Sequence, residues 1–433
     1  MKNKKYKFYT FFFIVCYRCI LELVYSHFIS PVYSYAGYVN NACTSQYLFS
    51  WLFFIILSFA FIKALFGKDR FWKYVSFIIL CLKFVPLTVL IAYVEYPTEY
   101  ISQTFVFWLF FIVGYNILPS FKTIDVKFIQ KNERIFKNLL FVLISLFTIS
   151  VLFVSIKYTG FRLHTSLFDV YDIRFEQRGL SYPKIFNYLL AASSVLCPLI
   201  LCYFLDKKKY IYAILFCFII YIDFSIGGLK SIVFITIIAL VIRAIYTPKL
   251  LYSVPIIACT VLVTIFSLND TLQFALSFII WRALFVPSGM DFEYYTFFNL
   301  FEPDYYRNSI LRRIGFDSPY ASSSVDIAVG EYFNPEIEGI RANNGLISEA
   351  YANFGVNYYF LFPIILIIYI KLLSSFAKYT VEKYLLLISI VFAYAIISTF
   401  IPATFMSSGV LYMIFFLISY SNKQNGNNIA QNY

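Results

Sequence analysis

Apolar residues run along this chain in stretches of about 20, broken by short polar segments, from the first residues almost to the last. That is the length an α-helix needs to cross the hydrocarbon core of a bilayer. The pattern predicts spans over 8–28, 47–66, 74–93, 101–119, 138–158, 186–205, 210–226, 231–247, 250–268, 355–377, 383–400 and 402–420. The pairs 210–226 with 231–247 and 383–400 with 402–420 read as tight hairpins. Two connections break the rhythm: 159–185, and the much larger 269–354, and loops of that size are usually functional. Within the larger one, "LQFALSFIIWRALFVP" (272–287) is suited to lie flat in the membrane interface as an amphipathic helix. Residues 421–433 read as a disordered tail. The fold class expected is all-α: a polytopic membrane helical bundle of about twelve helices, one integral membrane domain over 1–433 with two long outward-facing loops.

Composition agrees. Of 433 residues 61% are hydrophobic and only 13% charged, against about 45–50% and about 25% in a soluble domain. The net charge of +12 is spread between apolar runs and forms no basic face for nucleic acid. Lysines gather on alternate connections: the N-terminus, Lys68 and Lys73, Lys122 to Lys137, Lys207 to Lys209, Lys249, then Lys371, Lys378 and Lys383. The positive-inside bias makes that side cytoplasmic and puts both termini there. Seven of the eight cysteines fall in apolar runs, so no extracellular disulfide framework is expected. The N-terminal run is too long for a signal peptide and is read as a retained first span.

Arginines are distributed differently. Arg162, Arg174 and Arg178 lie in the first long loop, and Arg282, Arg307, Arg312, Arg313 and Arg341 in the second, against the topological bias. A guanidinium fork binds phosphate or carboxylate through two hydrogen bonds and keeps its charge when partly desolvated. The set therefore reads as an outward anion site. The alternative is pairing with the loops' own acids, among them Asp172, Glu176, Asp291, Asp326 and Glu331. "IGGLKS" (226–231) is a glycine turn whose Lys230 and Ser231 open the next helix at an end that favours anions. Within the spans, Arg18 and Glu22 stand four apart and can pair on one face. Lys83 is expected to find Glu22 or Asp223. With only two histidines, His27 and His164, no His-rich metal site can form. Walker A, H-E-x-x-H and G-x-S-x-G motifs are all absent.

Four stretches, in order, carry a family resemblance: "VYDIR" (170–174), "GLKS" (228–231), "WRALFVPSGMDFEYY" (281–295) and "NNGLISEAYANFG" (343–355). Together with the span pattern and the outward loops, the chain resembles the O-antigen and oligosaccharide repeat-unit polymerases of bacterial envelopes, the Wzy class. It departs from those members that place an arginine eleven residues before a glycine in their outer loops, a spacing no outer arginine here meets.

The resemblance implies a polyprenyl-diphosphate-linked oligosaccharide as substrate, besides membrane lipid, and a glycosyltransferase that uses neither metal nor other cofactor. It also implies a flippase and a chain-length regulator as partners. The growing glycan would pass from its lipid diphosphate to a sugar hydroxyl of the next lipid-linked unit. Cations stabilise the charge that grows on the leaving diphosphate, and a carboxylate takes the acceptor's proton. Arg174, Arg282 and Arg341 are the candidates for the diphosphate, and Glu176, Glu331 and Glu349 for the base. Arg162, His164, Arg178, Lys230, Ser231, Asn343 and Asn344 are candidates for substrate binding. Competing readings are a flippase for the same lipid-linked unit, a ligase that moves finished glycan, and a structural membrane subunit.

Overall fold

The structure, a computed structural model, describes residues 2–122, 133–164, 180, 182–228, 230–247, 250–268, 270–309, 311–320, 323–377, 380–406 and 408–419. Among these the fold is all-α, with no strand. Among the described residues nine helices are long and apolar enough to cross a membrane, and the chain is a multi-pass membrane protein. They are α1 (Lys5–Ala36), α2 (Thr44–Leu65), α3 (Arg70–Tyr93), α4 (Thr98–Ile117), α5 (Lys137–Tyr158), α6 (Ile185–Asp206), α7 (Tyr210–Gly227), α10 (Gln273–Leu300) and α13 (Tyr358–Ala377). Shorter helices α8 (Lys230–Ile245), α9 (Leu250–Phe266) and α14 (Glu382–Ser398) occupy three further expected spans. The span expected at 402–420 instead forms two short helices, α15 (Ile401–Met406) and α16 (Val410–Ser419), with Gly409 left-handed between them. Residues 421–433 lie outside the described residues.

The large connection 269–354 is in good part helical. Besides α10 it holds α11 (Val325–Phe333) and α12 (Ile347–Phe354). Three helices carry a π turn that ends two residues before a proline: Tyr25–Ile29 before Pro31, Leu80–Phe84 before Pro86, and Trp281–Phe285 before Pro287. Proline has no N–H to offer, and its ring presses on the preceding turn. A wider turn relieves that pressure and lets the helix continue.

Contacts cluster in two compact units. Unit 1 comprises 1–121, 248–374 and 396–400. Here Asn41 and Ala42 donate backbone hydrogen bonds to the carbonyl of Tyr93, so the connections after α1 and after α3 share one end of the unit. Helix α10 runs along that end. Its Trp281 stacks on Tyr33 at 4.2 Å, Phe285 meets Tyr25, and Phe292 meets Tyr96 and Tyr100. These contacts join α10 to α1, to the connection after α3 and to the start of α4. Unit 2 comprises 122–247, 375–395 and 401–433, with α6 packed against α5, α7 and α8. At one end of this unit Asp206 collects Arg243, Lys383 and the Tyr384 hydroxyl.

Candidate functional site

Each unit buries a polar centre among its described residues. In unit 1, Lys83 sits in the π turn of α3 with its side chain wholly inaccessible, and its Nζ lies 2.8 Å from Oδ2 of Asp291 on α10. The expected partners, Glu22 and Asp223, are not used. Glu22 instead accepts from Arg18 at 3.0 Å, the i,i+4 pair foreseen from sequence. Around Asp291 the second loop closes. Asn344 Nδ2 and Ser348 Oγ donate to Asp291 Oδ1 at 3.0 and 2.9 Å. The carbonyl of Pro287, next to the π turn, accepts from both Lys83 Nζ and Asn344 Nδ2. A buried ion pair ringed in this way is a clamp between α3, α10 and the segment leading into α12.

The clamp and its surroundings account for most candidates of the second loop. Asn344 is a member of it and is 1% exposed. Glu349 is also 1% exposed, and its Oε1 accepts from the Tyr306 hydroxyl at 2.9 Å. Burial, with Glu349 beside it, holds the Tyr306 phenol well above the ordinary phenol range, so the hydroxyl remains a donor. Glu331 accepts the backbone N–H of Gly339 at 2.7 Å and closes the turn after α11. Arg341 is half-exposed and pairs with Asp326 at 3.0 Å. Asn343 and Arg282 are exposed.

Arg282 stands on α10 twelve positions before Tyr294, whose hydroxyl holds the carbonyl of Ala342. That spacing is roughly 18 Å of helix, so Arg282 and Arg341 attach to well-separated points of unit 1. An ion pair as exposed as Arg341–Asp326 contributes about 0–1 kcal/mol. Arg341→Ala is therefore expected to leave the melting temperature and any glycan product unchanged. Loss of product with protein present would return Arg341 to a ligand site.

The centre in unit 2 is of another kind, because it is hollow. A cavity of about 110 Å³ is lined by Tyr182, Asn187, Leu190, Ala191, Asp223, Ile226 and Gly227. Asp223 is 3% exposed and accepts a hydrogen bond from Ser193 Oγ through Oδ2. Local sequence makes the site. Gly160 and Phe161, both left-handed, reverse the chain after α5 and bring the His164 N–H onto Ser225 Oγ at 3.2 Å. Ser225 follows Asp223 by two residues. On the other flank Tyr182 lines the cavity, and its ring packs on Tyr158.

One flank of the first long loop thus lines this cavity, and the other is tied to Ser225, two residues from Asp223. Arg174, Glu176 and Arg178, between those flanks, lie outside the described residues. Gly228 ends α7 in the left-handed conformation, and α8 opens at Lys230 and Ser231. Arg162, two residues before His164, is exposed.

No family model, curated protein or solved structure matches this chain. The site therefore rests on its own geometry. Sequence placed Asp223 near the end of a span but among no candidates. The signal available was an acid beside a Gly-Gly turn in an otherwise apolar run; the cavity and Ser193 are products of packing.

Proposed function

We propose that this protein polymerises lipid-linked oligosaccharide repeat units, of the O-antigen or capsule type, at the outer face of a bacterial cytoplasmic membrane, with both termini in the cytoplasm. The donor is a glycan on polyprenyl diphosphate, and the acceptor is a sugar hydroxyl of the next lipid-linked unit. The observation that carries this reading is the unit 2 cavity. Tyr182, on one flank of the loop holding "VYDIR", and Gly227, next to the turn holding "GLKS", line one hollow beside a buried carboxylate, and the loop's other flank is tied to Ser225 close by. The outer arginines of the first loop supply cations for the leaving diphosphate, and the start of α8 adds a helix end that favours anions.

Deletion of the gene followed by gel analysis of surface glycan tests it. A polymerase leaves single capped units, a flippase leaves no surface glycan, and a ligase leaves undecorated core. Only the first result supports the proposal. Arg174→Lys should shorten the polymer, because lysine cannot reproduce the bidentate fork. A loss of about 2–4 kcal/mol in transition-state stabilisation corresponds to roughly 30-fold to 1000-fold in rate. Normal chain length in that variant would remove Arg174 from the site.

A further inference from the structure

We infer that Asp223 is the general base of the unit 2 cavity, taking the proton from the acceptor sugar's hydroxyl; this rests on the polymerase reading. Three observations lead there. Asp223 is the carboxylate among the residues that line the cavity, and it is almost wholly withdrawn from solvent. Its orientation is fixed, because Ser193, itself inaccessible, donates to Oδ2 from the neighbouring helix. The Leu190 carbonyl, 2.8 Å from the same Oγ, is the other acceptor within reach of that single proton, and Leu190 also lines the cavity. The other carboxylate oxygen, Oδ1, is the one assigned to the ligand.

The size of the hollow decides what enters. A cavity of about 110 Å³ has room for several waters or one hydroxyl-bearing edge of a sugar, and not for an oligosaccharide. The diphosphate is also the wrong occupant, since a carboxylate repels it. The acceptor hydroxyl is the right one: it donates to Oδ1, and Asn187 and Tyr182 provide further polar groups at the cavity wall.

In the step itself, the acceptor O–H proton passes to Asp223 Oδ1 as the oxygen's lone pair attacks the anomeric carbon of the donor. The bond from that carbon to the diphosphate oxygen breaks, and its electron pair leaves with the lipid diphosphate. Of the base candidates named from sequence, Glu331 and Glu349 are engaged in holding the second loop, which leaves the base role open in unit 1.

The test uses membrane vesicles from the deletion strain, which hold the lipid-linked unit, with full-length variants added back. Chain extension is measured per amount of folded protein, so a lower level of a variant is corrected for. A positioned base contributes about 10²–10⁴-fold. Asp223→Asn is expected to slow extension at least 100-fold. Asp223→Ala should be equally slow and should recover part of its rate with added formate, which fits the emptied site and replaces the carboxylate.

An Asp223→Asn rate within a few-fold of wild type, or an inactive Asp223→Ala that formate does not revive, would overturn the inference. The two failures are separable. A deletion strain with single capped units and an active Asp223→Asn removes the base and keeps the polymerase. A deletion strain with a normal glycan ladder removes both.

Discussion

Lys83→Met is expected to cost about 3–5 kcal/mol of stability, because it leaves the Asp291 carboxylate buried without its cation. Both side chains of the pair are inaccessible, so water cannot take over. The expected signs are a fall in the amount of protein in the membrane and a markedly lower melting temperature in detergent. The double variant Lys83→Met with Asp291→Asn should recover most of the loss. Asparagine removes the orphaned charge, yet keeps an oxygen to accept from Ser348 and Asn344. The reasoning is that a buried ion pair gains little over a neutral replacement, whereas half a pair is strongly unfavourable. A Lys83→Met protein that melts like wild type would show that the clamp does not hold the unit. A double variant no better than the single would show that lysine's own packing, rather than charge balance, matters.

This pair also marks where the sequence stopped being legible. Eight of the long helices follow directly from runs of apolar residues, and Arg18 with Glu22 follows from helical spacing. The ninth, α10, was legible only in part: Arg282, Pro287, Asp291 and Glu293 interrupt its apolar run, so 272–287 reads as an interfacial helix in a long outer loop rather than as part of one longer helix. Its charges are not solvent-loop charges: Asp291 meets a lysine on a helix far back in the chain, and no local pattern announces that pairing. The π turns were equally silent, although each lies just ahead of a proline that sequence displays plainly.

For the candidate site the lesson is similar. Residue type pointed to arginines and glutamates of the outer loops. Tertiary contacts then engaged Arg341, Glu331, Glu349 and Asn344 within unit 1, and hollowed out a space beside an aspartate of α7. Whether a carboxylate is held by neighbours or faces a cavity depends on packing, which composition does not encode.

The three consecutive residues Asn343, Asn344 and Gly345 should respond to alanine in sharply different ways. Asn343 is exposed, and its replacement should change stability by no more than about 0.5 kcal/mol. The Asn344 amide nitrogen has three oxygens within hydrogen-bond distance inside the clamp for its two N–H bonds. Losing it leaves the Pro287 carbonyl and Asp291 short of a donor, at about 1–3 kcal/mol. Gly345 is limited by space. Its N–H donates to the carbonyl of Ile397 at 2.8 Å. A Cβ there would stand 2.2 Å from the carbonyl oxygen of Ile396 and 2.6 Å from that of Thr399. Both obstacles are backbone atoms, so no side-chain rotation relieves them, and the segment must withdraw from residues 396–400. Overpacking typically costs about 1–3 kcal/mol, and this case belongs at or above the upper end. Thermal melting of the three single variants in detergent should rank them Asn343→Ala, Asn344→Ala, Gly345→Ala in order of increasing damage. A Gly345→Ala protein as stable as Asn343→Ala would mean that the approach of this segment to residues 396–400 is not the native packing. The polar segment would then be free to meet a ligand, and the second loop would regain its claim to the site.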